Sequence, residues 1–162
     1  MSGVDRLRRD VYRSLVGFIV GRIRYAVPTV CVRAVAPPSP LVTLPHLPPG
    51  VIGVFEHRGQ VIPVIDLRIS FDASAEDRNA RSQWIIVEVD RQKIGLAAKR
   101  VTGVFEVGFG GLRQVPELGH GTEPQNLVGV ATQEDELTFV LDVAAFHAYV
   151  LDVDLPKLPP AP

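Results

Sequence analysis

The chain has 162 residues, enough for one domain or two small fused ones. Hydrophobic residues at 46% and charged residues at 22% exclude a chain disordered throughout. Seventeen Lys and Arg against 18 Asp and Glu leave a net charge of −1, which argues against a dedicated nucleic-acid binder. The single cysteine, Cys31, excludes an intrachain disulfide and a zinc cluster of several thiolates; it is read as a small buried hydrophobe.

Residues 5–15 predict a short N-terminal helix, and no apolar run of signal-peptide length follows Arg6, Arg8 and Arg9. Residues 15–20 are apolar and residues 22–27 alternate, with Gly21 between them, which predicts a β-hairpin. The uncharged stretch 34–55 holds Pro37, Pro38, Pro40, Pro45, Pro48 and Pro49, so it cannot be a transmembrane helix. Residues 37–50 are read as a proline-stiffened connection in preference to a ligand for a polyproline-reading domain. Residues 51–55 and 61–67 predict a second strand pair across a polar link, 56–60, that contains Gly59. Residues 72–82 are polar and charged and read as a linker. Residues 84–89 and 93–98 predict a third hairpin. Residues 108–124, with five glycines, read as loop. Residues 127–131 and 137–143 predict a fourth hairpin, and residues 144–151 a short helix with Phe146 and Val150 on one face. The tail 155–162 holds four prolines and reads as flexible. The expectation is a soluble cytoplasmic protein with no direct membrane insertion.

The strand pattern repeats. At an offset of about 69 positions Val16 meets Ile85, Phe18 meets Val87, Val27 meets Leu96 and Val35 meets Val104. At about 76 positions Gly53 meets Gly129, Val54 meets Val130, Val64 meets Val140 and Asp66 meets Asp142. Two copies of one β unit account for this, and strand-rich units of this size predict small closed barrels. A small barrel is filled by side chains, which leaves little room for an interior active site.

Gly53 and Gly129 are expected to be structural, marking a bulge or a close backbone approach. Asp66 and Asp142 recur at matching strand ends; a carboxylate accepting backbone N–H bonds at a turn is favoured over paired catalysis. His57 is read as a solvated loop histidine, and His46, His120 and His147 have no ligand spacing to it. Gly108, Gly110 and Gly111 lack the strand–turn–helix context of a phosphate loop. Trp84 opens a strand and reads as core. Arg58 either faces a partner or braces its hairpin, and both readings stay open. No catalytic residue, metal ligand or cofactor is assigned.

The stretch V-I-G-V-F-E-H-R-G-Q-V-I-P-V-I-D-L-R, residues 51–68, resembles the signature of the CheW-like chemotaxis coupling proteins; Gly53, Val54, Arg58, Gly59, Pro63, Asp66, Leu67 and Arg68 match it in register. Three further blocks are similar in order: the opening hairpin with its following strand, I-I-V-E-V-D-R-Q-K-I-G-L-A-A-K-R-V-T-G-V-F-E-V, and L-V-G-V-A-T-Q-E-D-E-L-T-F-V-L-D-V. The resemblance implies an all-β fold of two SH3-like five-stranded barrels with short terminal helices. It implies one domain over residues 14–150, with subdomains at about 15–71 and 83–143, strand exchange between them being allowed. Residues 1–13 form an extension and 151–162 a tail. It also implies a non-catalytic adaptor that bridges the regulatory domain of a CheA-type histidine kinase and the cytoplasmic tip of a chemoreceptor, recruited to membrane-associated arrays. Val32 and Val35, with Ile94 and Leu96, would line a receptor groove, and the kinase domain would pack barrel end to barrel end. Gly53, Gly59, Pro63, Asp66, Gly129 and Asp142 would be structural.

The chain departs from the family pattern. Ala34 stands where a Glu is common, removing the expected partner of Arg58, and Lys99 reverses the charge of a family Asp. Ala34, Arg58 and Lys99 therefore join the partner-binding candidates. An auxiliary paralogue that binds only kinase or only receptor in a non-flagellar pathway is the alternative. A small β-barrel hydrolase using His57 with Asp66 is the distant one.

Overall fold

The structure, a computed structural model, describes residues 10–70, 82–108, 110–115 and 126–150. Four hairpins form because apolar alternation is interrupted at two residues each time. The first pairs β1 (Ser14–Val20) with β2 (Ile23–Pro28). The 3-10 turn η1 (Thr29–Cys31) leads into β3 (Val32–Ala36). Beyond the proline-rich connection, β4 (Val51–His57) pairs with β5 (Gln60–Asp66), which runs into α1 (Leu67–Ser70). Then β6 (Gln83–Val89) pairs with β7 (Gln92–Ala98), followed by β8 (Arg100–Glu106). Last, β9 (Leu127–Gln133) pairs with β10 (Glu136–Leu141), and α2 (Val143–Val150) follows. Three of the two-residue loops are left-handed at both positions: Arg58 and Gly59 at φ 50° and 80°, Asp90 and Arg91 at 49° and 66°, Glu134 and Asp135 at 51° and 63°. That conformation matches the twist of the flanking strands.

Two sheets result, in the orders β8-β1-β2-β10-β9 and β3-β6-β7-β5-β4. Replacing each strand of the first copy, β1–β5, by its counterpart in β6–β10, and the reverse, turns one order into the other. Each sheet thus takes its central hairpin from one copy and its other three strands from the other copy. The joins are parallel: β10 runs with β2, and β5 with β7. The fold is all-β apart from its short helices, with two five-stranded SH3-like subdomains.

The central strands are apolar on both faces because each face meets a different core. Val16, Phe18 and Val20 of β1, Ile85 and Val87 of β6, and Ile94, Leu96 and Ala98 of β7 all enter one core shared by the sheets. Leu15, Ala26, Ala131 and Val140 fill the first subdomain. Phe55, Ile62, Val64, Trp84, Ile86 and Ala97 fill the second, where Phe55 and Trp84 meet edge to face at 4.9 Å. Phe146 and Val150 bury the inner face of α2 in the shared core.

Some expectations are corrected. Of the predicted helix 5–15, Asp10 and Val11 are helical among the described residues, and β1 begins at Ser14. Leu15 is a fully buried strand residue paired with Pro28, so tertiary pairing overrides local propensity there. Residue 67 opens α1 instead of ending a strand. The predicted linker 72–82 lies outside the described residues except for Ser82, and the tail 155–162 lies wholly outside them. Among the described residues, no helix is long and apolar enough to cross a membrane.

Candidate partner-docking surface

Strand β3 is an outer strand whose residues alternate between half-buried and exposed. Val32 packs against the shared core and Ala34 against the core of the second subdomain. Val35 points outward at 46% exposure, and Val30, on η1 just before the strand, at 58%. Between them a β-bulge makes Arg33 the extra residue opposite β6. Its Nε donates to Glu88 Oε2 at 2.7 Å and one terminal nitrogen donates to the Val30 carbonyl at 2.8 Å. Apolar residues rimmed by such polar groups fit a protein-docking face.

The other partner-binding candidates separate. Arg58 is exposed at the tip of the β4–β5 loop, and among the described residues no side chain pairs with its guanidinium. Ala34 lies instead in an apolar setting, so the Glu-to-Ala departure trades a charge for packing against the core around Phe55 and Trp84. Lys99 is half-buried where β7 passes into β8, its N–H bonded to the Ile19 carbonyl at 2.9 Å. Ile94 and Leu96 are corrected: both are fully buried in the shared core, so neither side chain reaches the surface to line a groove. The space assigned to a groove at these positions is closed by the two sheets packing on each other.

The framework residues have definite geometry. Asp66 and Asp142 each accept a backbone N–H two residues on, from Arg68 at 2.9 Å and from Ala144 at 3.1 Å, so each caps a short helix. Asp66 is also gripped by the Arg68 side chain at 3.0 Å through each carboxylate oxygen, both residues being buried. A carboxylate engaged in this way is a structural anion, and the pairing of His57 with Asp66 as catalytic groups has no support in this geometry. His57 instead lies with its ring 5.9 Å from that of Phe55. Ideal Cβ atoms on Gly53 and Gly129 would come within 2.8 Å of the Val42 carbonyl oxygen and 2.9 Å of that of Arg113. Val42 and Arg113 bridge to Val54 and Val130, the residues that follow those glycines. Gly59 completes the left-handed Arg58 loop, and Pro63 sits opposite Val54, one residue before β5 begins pairing with β7. Among the described residues, no group of three or more His, Cys, Asp or Glu could hold a metal ion.

Three surface residues were missed in the sequence. Val104 on β8 is 65% exposed and is the repeat counterpart of Val35, so the offset that pairs them was a usable signal. Val30 gave no periodic signal because it lies in a three-residue turn, and Arg33 occupies an ordinary exposed position of the β3 alternation, so its bulge left no mark in the sequence.

Comparison with known proteins follows the same boundaries. The family model described as CheW-like domain matches residues 14–149. The chemotaxis protein CheW of Helicobacter pylori is 32% identical over 129 residues, spanning 79% of this chain and 77% of its own. Protein FrzA of Myxococcus xanthus is 33% identical over 120 residues, 70% of each chain. The crystal structure of the scaffolding protein TtCheW from Thermoanaerobacter tengcongensis superposes with a TM-score of 0.69 at 25% identity, covering 80% of this chain and 83% of that one.

Proposed function

The chain belongs to the CheW-like family, and from that premise we propose that it is a non-catalytic adaptor coupling a CheA-type histidine kinase to chemoreceptors. The observation that carries this reading is a family match running from residue 14 to residue 149, through every strand of both sheets. The likeness to a solved scaffolding protein supports it. The domain spans residues 14–150, with residues 1–13 and 151–162 outside it. Its partners are the regulatory domain of the kinase and the cytoplasmic tip of the receptor, met in the cytoplasm at receptor arrays. The receptor meets the β3 face around Val32 and Val35. Two such interfaces of roughly 1,200–2,000 Å² fit on a protein of this size.

Calorimetric titration against the regulatory domain of each CheA-type kinase of the same genome, with receptor cytoplasmic fragments in parallel, tests the proposal. Binding to one kinase and one receptor, micromolar or tighter, is expected. Binding to only one of the two classes would assign the auxiliary role, and binding to neither would withdraw the adaptor function.

A further inference from the structure

The two subdomains share one strand register but are not filled alike. Equivalent rungs pair Phe18 with Tyr25 and Val87 with Ile94, and Ala131 with Thr138 and Phe55 with Ile62. Interior positions can therefore be matched one to one. Leu15 of the first subdomain stands where the second has Trp84, Gly17 where it has Ile86, Ala131 where it has Phe55, and Thr138 where it has Ile62. Val140 and Val64 are equal, and Ala26 against Gly95 is the one exchange in the other direction. Dispersion contacts accumulate with side-chain size, so the first subdomain holds less of the packing that keeps a sheet curled on itself.

Polar groups occupy the vacated space. The register of β8 against β1 slips beside Thr102, and the Thr102 hydroxyl donates to Oε1 of the buried Gln133 of β9 at 3.1 Å. A Cβ on Gly17 would stand 2.5 Å from Thr102 Oγ1 and 2.6 Å from Gln133 Oε1, so this bond lies in the room that Ile86 fills in the other copy. Strands β8 and β9 are the outer strands of their sheet, and among the described residues no backbone ladder joins them. The matching seam between β3 and β4 is apolar, with Ala34, Ala36, Leu41 and Ile52 packed on the core of Phe55 and Trp84. The two seams differ in what parting costs. A hydroxyl and an amide that separate each find water in exchange, whereas apolar side chains that separate do not.

We infer that the β8–β9 seam is the opening point of this fold, with the Thr102–Gln133 bond as its latch. The first subdomain parts there while the second stays closed. Opening releases β8, the outer strand that carries Val104 at 65% exposure, and leaves β3 in place. The low-stability part of a protein is where its opening motions concentrate, and here it is confined to one of two repeats.

Thiols placed inside each subdomain test this in the full chain. Cys31, the chain's one cysteine, is first removed as Cys31→Ala. Into that background goes either Ala131→Cys, inside the first subdomain, or Ala97→Cys, inside the second; both alanines are buried. The rate of reaction with Ellman's reagent under native conditions then reads how often each interior opens. The thiol at position 131 should react about tenfold faster than that at position 97, or more. Thr102→Val and Gln133→Met, made separately, should each speed the reaction at position 131 about three- to tenfold, as loss of one hydrogen bond requires, and leave position 97 within about twofold. Combined, they should speed it no more than the stronger single change, because both remove the same bond. Equal rates at positions 131 and 97 would overturn the inference. So would latch variants that leave position 131 unchanged, or that speed both positions alike, which would mean that the whole fold loosens and not one seam.

Discussion

Asp66 and Asp142 hold equivalent positions at the ends of β5 and β10, yet their neighbours make them unequal. Two residues on from Asp142 is Ala144, and the carboxylate makes a partly exposed cap bond. Two residues on from Asp66 is Arg68, whose guanidinium closes a buried ion pair with both carboxylate oxygens. Removing one member of a buried pair strands the other charge, which costs about 3–5 kcal/mol, whereas losing a cap costs about 1 kcal/mol. Arg68→Ala should therefore lower unfolding free energy several times more than Asp142→Ala, read from denaturant midpoints at unchanged slope. Equal losses would mean that the pair adds nothing to the cap. The turn role of both aspartates was legible from their repetition, but the ion pair was not, because the repeat offset carries no information about the one copy that differs. Ile94 and Leu96 misled for a related reason: alternation shows which residues share a face, and not whether that face meets solvent or a second sheet.

The hairpins were legible because a period of two, broken by two residues, has few other physical solutions. The shorter elements were not: α1 has four residues and η1 three, too few to show any helical period. Gly53 and Gly129, each the third residue of its strand, β4 and β9, were legible as structural glycines, and the structure shows what they accommodate. A returning loop crosses each strand so closely that a methyl group has no room, beside Leu41 and Val42 in one copy and Leu112 and Arg113 in the other. The obstacle at Gly129 is the Arg113 carbonyl together with the Leu112 Cβ, both 2.9 Å from where a Cβ would stand. Because backbone cannot rotate away as a side-chain tip would, Gly129→Ala should force the loop off β9 and destabilise by about 1–3 kcal/mol. Circular dichroism melts of this variant beside Gly108→Ala, where a Cβ meets open space, would isolate the effect. If both variants melt alike, close approach is not what requires glycine at position 129.

Duplication was visible in the sequence, whereas the exchange of strands was not, since the offset between copies is the same whichever copy's hairpin enters which sheet. Exchange changes what each half of the chain can do alone. Residues 1–75 contain β1 and β2 for one sheet, and β3, β4 and β5 for the other without the β6–β7 hairpin that separates them. Residues 76–162 have the mirror problem, with β8, β9 and β10 lacking β1 and β2 between them. An isolated two-stranded hairpin is marginal in water, and the shared core draws Phe18, Tyr25 and Ile65 from the first half and Ile85, Leu96 and Phe146 from the second. Neither half can therefore bury enough apolar surface to offset its chain entropy. Each fragment, made separately, should show no cooperative thermal transition, while an equimolar mixture should recover the melt and the near-ultraviolet dichroism of the intact protein around Trp84. A cooperative melt from either fragment alone would mean that contiguous copies can close their own barrels, and that exchange is a consequence of the covalent link and not a requirement of the fold.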